Sequence, residues 1–274
     1  MEAYRLLNDS CLVDAIICRP GEGEQLSSDR LYVIRSDRAE LGLFESVFEP
    51  GEGTLPHTHH RQADAFYVLE GELEVIVDTR TARLGPGGLV AAPPHVTHSV
   101  RNPGAVVVRH LNLHAPGVYF VATARARARG EEIDEAYHDS FGPEAGGEGV
   151  LSGPGEGELL RANGSHLVKA ALPEMSIIET ELGPGDGGSV HLHRTSVESL
   201  YVLEGELALT IGHETVRVSA DTSVVVPPSV VHAIANRSEA PARLLNIHAP
   251  DCGFVDYLRV LARGERIEST DSEV

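Results

Sequence analysis

Short apolar runs, each ended by a glycine or proline turn, dominate the chain. In the first half Leu41 to Phe48, Ala65 to Leu69, Glu72 to Val77, Thr81 to Leu84, Leu89 to Ala92, His98 to Arg101 and Val106 to His114 read as strands, separated by signals such as Glu70-Gly71 and Pro93-Pro94. Such runs are too short for ordinary helices, and about eight of them per unit predict an all-β jelly roll. Residues 118–130 and 252–263 read instead as short closing helices, the second running through Phe254 to Leu261 and stopped by Gly264. Ahead of the first strands, Leu6, Leu7, Leu12, Val13, Ala15, Ile16 and Ile17 mark a leading strand or arm that packs on a barrel. The Gly-rich polar stretch from His138 to Gly149 reads as linker.

The pattern occurs twice. Pro-Gly-Glu-Gly-Glu at 20–24 recurs at 154–158, Tyr-Val-Leu-Glu-Gly-Glu-Leu at 67–73 recurs at 201–207, and His-Ala-Pro at 114–116 recurs at 248–250. The offset is 134 residues throughout, without a slip between 20–133 and 154–267. Neither copy has gained or lost net length. The repeat predicts two jelly-roll barrels in tandem: an N-terminal barrel over 1–137, a linker over 138–153 and a C-terminal barrel over 154–274.

At that offset the chain places the same chemistry twice. His57, His59, Asp64 and His98 precede His191, His193, Glu198 and His232. Strand alternation sends the imidazoles of a His-x-His pair to one face. Three imidazoles and a carboxylate suit a divalent transition metal and leave positions open when the ion takes five or six partners. One ion per barrel is expected, and Fe, Mn, Ni, Co, Cu and Zn all accept this set. Asp64 is one methylene, ~1.5 Å, shorter than Glu198, so its strand must move inward or a water must fill the gap.

Written out, the motifs are Gly51-x5-His57-x-His59-x4-Asp64-x6-Gly71 with Pro93-x4-His98-x3-Asn102, and Gly185-x5-His191-x-His193-x4-Glu198-x6-Gly205 with Pro227-x4-His232-x3-Asn236. They resemble the two signatures of the cupin superfamily, and the duplication resembles a bicupin, which implies double-stranded β-helix barrels. The chain departs from the pattern at Asp64, where Glu is usual, and at His95, Ser229 and Asp221, where Gly is usual. Gly71, Gly205, Asn102 and Asn236 read as turn residues, His60 and His95 as exposed structural ones. His114 and His248, two residues from Asn112 and Asn246, are either strand-end residues bonded to backbone or groups that support the site.

Composition narrows the partners. A formal charge of −19 over 274 residues, without a basic stripe, disfavours nucleic acid and polyphosphates. Cys11, Cys18 and Cys252 are odd in number with no CxxC, and the N-terminus has no basic region leading into an apolar core, so a cytoplasmic protein is expected. No apolar stretch approaches a membrane span. Monomer and homodimer are both compatible with the sequence. Arg125, Arg127 and Arg129 read as a solvated helix face.

If the ligands point inward, so do Phe66, Val68, Leu200 and Val202, giving an apolar pocket beside each ion that suits a small organic substrate. Arg35 and Lys169, on an early strand, are the cations whose side is open. The Pro-Gly-Glu-Gly-Glu opening and Tyr-Val-Leu-Glu-Gly resemble quercetin 2,3-dioxygenases. That resemblance implies a metal-bound flavonol or enediol-type substrate, reaction with dioxygen, and a ligand carboxylate acting as catalytic base, here Glu198 and Asp64. The alternatives are another metal-dependent cupin enzyme, a decarboxylase or isomerase, and a small-molecule-binding cupin without catalysis.

Overall fold

Alternation along the strand Ala63–Glu70 divides its side chains between two faces. Asp64, Phe66 and Val68 share one face, and Phe66 and Val68 enter a core with Val90, Leu73, Val75, Val77 and Val100. These residues come from two sheets. In the computed structural model, which describes residues 15–27, 31–132, 140–141 and 147–265, the first sheet runs in the order Val150–Ser152, Leu89–Ala92, Ala63–Glu70, Val108–Ala115, Gly42–Phe48, Leu31–Asp37, Glu24–Ser27. The second runs Ser140–Phe141, His57–Thr58, His98–Arg101, Leu73–Val77, Arg80–Leu84. Pairing is antiparallel throughout, and the two sheets enclose the core as a jelly roll.

The other unit repeats this plan. Ile16–Cys18, Ser223–Val226, Val197–Glu204, Ala242–Ala249, Ser176–Leu182, Ser165–Ala171 and Glu158–Arg161 form the large sheet, and Glu214–Ser219, Glu206–Ile211 and His232–Ala235 the small one. Its core is aliphatic, with Leu200, Val202, Leu207, Leu209, Val224 and Leu244 among its members. The expected all-β class, tandem barrels and closing helices are all present, the helices as Val118–Arg129 and Phe254–Ala262.

The edge strands depart from the linear division 1–137, 138–153, 154–274. Ile16–Cys18 pairs with Ser223–Val225, and Val150–Ser152 with Leu89–Ala91. The two segments are equivalent in the repeat, and their registers match (Ile16 with Val225, Val150 with Ala91), yet each lies on the sheet of the other copy. The compact units are therefore 24–156, and 1–23 with 157–274. Part of the stretch read as linker is thus strand. Leu6, Leu7, Cys11, Leu12 and Val13 of the leading arm, most of 138–149, and the end of the chain lie outside the described residues.

The turns explain the departures from the motifs. His95, Ser229 and Asp221 have φ of 67°, 65° and 63°, the left-handed region that glycine enters most easily. Gly71 is needed for space as well, since a Cβ there would lie 2.8 Å from the Val107 carbonyl oxygen. Asn102 donates to the carbonyls of Phe48 and Val106, and Asn236 to those of Leu182 and Ala240. Arg125 is not simply a solvated residue: its guanidinium bonds Glu24 and Asp37, and Arg259 repeats the clamp on Glu158. No helix is long and apolar enough to cross a membrane among the described residues.

Candidate metal centres

In the first barrel His57 lies directly opposite His98 on paired strands, and the chain returns through His59 to Asp64 on the large sheet. In the second, His191 and His232 form the equivalent bridge. The His-x-His segment is barely a strand, His57–Thr58 in the first barrel and isolated bridges at His191 and His193 in the second. Its extended backbone still sends both imidazoles to one centre. The four ligand atoms of His57, His59, Asp64 and His98 lie within 4.8 Å of one another, as do those of His191, His193, Glu198 and His232.

Hydrogen bonds fix which ring nitrogen faces the centre. The Nδ1 of His57 donates to the Leu55 carbonyl at 2.8 Å, and that of His98 to Val96 at 3.0 Å. His191 and His232 do the same to Ser189 and Val230, both at 2.8 Å. A carbonyl only accepts, so Nδ1 carries a proton and Nε2 is the nitrogen that faces the carboxylate and would meet a metal. His57 and His191 are half-buried while the other ligands are buried, which puts the accessible side of each centre at the first histidine of the motif.

The carboxylates reach differently. Glu198 Oε2 is 3.7 Å from His191 Nε2, 3.4 Å from His193 Nε2 and hydrogen-bonded to His232 Nε2. Asp64 Oδ2 is 3.3 Å from His59 Nε2 and 3.0 Å from His98 Nε2, and makes no ion pair with His57. The second oxygen of each is held by an asparagine: Asn112 Nδ2 donates to Asp64 at 2.5 Å and Asn246 Nδ2 to Glu198 at 2.9 Å.

Charge follows the same contacts. Burial opposes ionisation of Asp64, but the imidazoles of His114, His59 and His98 outweigh it and hold the carboxyl well below its usual range. Glu198 is held low in the same way by His232, His191 and His193. The outer histidines diverge: burial, reinforced by His98 and His59, pushes His57 down to about 4. Burial also opposes a charged His191, but the Glu198 carboxylate outweighs it, so that pKa is raised.

The donor set fits a divalent metal. Three imidazole nitrogen donors and an ionised carboxylate converge in each barrel, and in the second both nitrogens of buried His193 lack a hydrogen-bond partner. In the first barrel Gln62 Nε2 stands 3.3 Å from His59 Nδ1 while its Oε1 is buried without a partner. Exchanging the two ends of the amide lets Oε1 accept the Nδ1 proton and frees His59 Nε2 for the metal.

Two stretches, residues 44–114 and 178–248, match the family model for the Cupin domain, Cupin_2, and together make up just over half of the chain. The protein belongs to the cupin family. Each cupin match takes in one complete centre, so the chain is a bicupin. It is 37% identical over 81 residues to the tetracenomycin polyketide synthase protein TcmJ of Streptomyces glaucescens, covering 28% of this chain and 54% of that protein. It is 28% identical over 90 residues to quercetin 2,3-dioxygenase of Bacillus subtilis, covering 31% of this chain and 27% of the dioxygenase. The bicupin thus spans about half the length of TcmJ and about a quarter of the dioxygenase. Among solved structures, the formate complex of Lactobacillus farciminis oxalate decarboxylase superposes with a TM-score of 0.60 over 89% of this chain and 88% of that one, at 14% identity, a likeness of fold.

Phe66, Val68, Leu200 and Val202 are buried in the apolar clusters below the centres. His60 and His95 are exposed and stack on each other at 5.3 Å. His114 and His248 are fully buried, packed on Phe120 and Phe254 of the closing helices, with ring centroids 3.8 and 4.7 Å apart. Sequence reasoning did not assign the carboxylate-holding role of Asn112 and Asn246. Their place two residues before those histidines on the inner face was the available signal. Gln62 gave none.

Proposed function

We propose that this bicupin is a metal-dependent dioxygenase acting on a flavonol-like or other enediol-type substrate. The observation that carries the reading is the placement of the two cations whose side the sequence left open. Arg35 bonds Glu45 through Nε at 3.1 Å and Nη2 at 2.6 Å, and Lys169 Nζ lies 3.8 Å from Glu179. Glu45 and Glu179 alternate with Phe44 and Ile178, so they occupy the face turned away from the centre. Neither cation is offered to a small dicarboxylate at the metal, as a decarboxylase would require. The core of the second barrel is aliphatic and that of the first is apolar apart from His110, which suits the rings of a flat organic molecule.

Three histidines and the carboxylate would hold the ion in each barrel, and the ion would supply Lewis acidity toward substrate oxygen. Glu198, ionised and steadied by Asn246, accepts the proton of a substrate hydroxyl, with Asp64 in the same role in the first barrel. The apolar residues beneath orient the ring system and exclude water. Likeness to quercetin 2,3-dioxygenase over part of the chain supports the assignment. Oxygen uptake by metal-reconstituted protein tests it: a flavonol should be consumed with dioxygen, and Glu198→Gln should slow turnover by at least about a hundredfold, the usual scale for a general base. Carbon dioxide release from a small dicarboxylate, with no oxygen uptake on any flavonol or enediol, would refute it.

A further inference from the structure

Besides the carboxylate, the two barrels differ in the groups around the second histidine of the motif. In the first, His59 has Gln62 at its Nδ1 and His114 Nε2 bonds Asn112 Oδ1 at 3.0 Å. At the equivalent places the second barrel has Ser196 in place of Gln62 and Cys252 in place of Val118. The Nδ1 of His193, both nitrogens of His248, Asn246 Oδ1 and Ser196 Oγ are buried without hydrogen-bond partners. His193 and His248 are 2% and 0% exposed, and a buried polar group left unpaired costs about 1–3 kcal/mol. Unpaired nitrogens on two buried imidazoles call for a ligand that would satisfy them.

Cys252 supplies the third element. One ligand atom each of His193, His248 and Cys252 lie within 4.8 Å of one another. Ligand atoms this close stand at separations of the order found across a shared ion, whose metal–nitrogen and metal–sulfur bonds are about 2.0–2.3 Å. The closing helices also meet the two histidines differently: Phe254 is tilted 41° to the His248 ring, where Phe120 stacks on His114 at 12°.

We propose that the second barrel carries an additional cation site for a thiophilic metal, Zn²⁺ or Cu⁺, formed by His193, His248 and Cys252. A thiolate with two imidazoles selects such ions over Mg²⁺ or Ca²⁺. His193 belongs to both centres. Its Nε2 faces Glu198 at 3.4 Å, so its Nδ1 is the atom turned to the new site. Occupancy of both makes the ring a bridging imidazolate, and the second ion displaces the Cys252 thiol proton and the remaining His193 ring proton to solvent. No electron transfer is involved. The site leaves a coordination position for water or a substrate atom. The first barrel, with Val118, cannot form it. The inference does not depend on the dioxygenase reading.

Cobalt titration of the metal-stripped full chain tests it, because a thiolate bound to Co²⁺ gives a charge-transfer band that histidine and carboxylate ligands do not. The expected result is a band that saturates, disappears in Cys252→Ser and persists in His57→Ala. Bound cobalt in Cys252→Ser falls by one equivalent per chain while the histidine–carboxylate centres still fill. Cys252→Val, which carries the side chain of the first barrel, replaces the serine variant if that one does not fold. Ser196→Gln, by giving His193 Nδ1 a partner, should weaken the band. A saturated protein without a charge-transfer band, or a band unchanged in both cysteine variants, overturns the proposal.

Discussion

Lengthening Asp64 to glutamate tests whether carboxylate reach separates the two centres. Glu198 places one oxygen within 3.7 Å of all three imidazoles, while Asp64 reaches only His59 and His98. One further methylene adds ~1.5 Å, enough to bring the oxygen toward His57. A charge-assisted contact of this kind is worth about 1.5–3 kcal/mol. Against it stands the cost of an extra methylene at a position 2% exposed, about 1 kcal/mol at the low end for a packed core. The low end applies because Asn112 and His114 match the Asn246 and His248 that already surround Glu198. The balance is about 0.5–2 kcal/mol, or roughly two- to thirtyfold tighter metal binding. Competition with a chromophoric chelator measures it in a His191→Ala/Cys252→Ser background, where the first centre is the one left intact. Unchanged or weaker binding in Asp64→Glu would show that the first barrel has spaced its strands around aspartate and that reach does not limit it.

Three further outcomes follow from the same geometry. His191→Ala should strip more metal from the purified protein than His57→Ala, measured by elemental analysis; equal losses would contradict the asymmetry. Metal-stripped protein should lose stability as pH falls below about 6.5, because His114 and His248 are pushed by burial to about 3 and the unfolded chain binds the extra protons. Each shift is on the order of 5 kcal/mol when fully expressed, and the lowered Asp64 and Glu198 add to the loss at still lower pH, while the raised His191 opposes it. Denaturant midpoints that stay level between about pH 7.5 and 5 would refute this. Ser229→Gly should raise stability by about 1 kcal/mol by relieving a left-handed residue at an exposed turn, read as an increase in melting temperature; a decrease would assign Ser229 a role beyond the turn.

Much of this architecture was legible in the chain, and the residues show why. Short runs such as Leu89–Ala92 and His98–Arg101 fall within their observed strands because strand and turn signals are local. The clustering of the eight residues of the candidate centres was legible for a different reason: a shared offset of 134 ties distant positions together. The edge strands were not. Ile16–Cys18 and Val150–Ser152 carry the same local pattern and the same register, and nothing local states on which copy's sheet each will lie. The supporting contacts were hidden as well. That Asn112 steadies Asp64 depends on the adjacency of Ala63–Glu70 and Val108–Ala115, strands far apart in the chain.

What the repeat kept and what it changed separate framework from chemistry. Asn102 and Asn236 pin the same turn, Arg125 and Arg259 clamp the same hairpin, and Asn112 and Asn246 hold the same carboxylate oxygen. Those contacts build the barrel and leave four convergent ligands at its mouth. Around the ligands the copies part: Gln62 becomes Ser196, Asp64 becomes Glu198, Val118 becomes Cys252, and His110, packed against Phe48 in the first core, becomes Leu244 in the second. Each exchange alters hydrogen bonding, reach or polarity beside a centre without moving a strand. The two centres therefore have equivalent positions in the fold and unequal electrostatics, as the opposite shifts of His57 and His191 show.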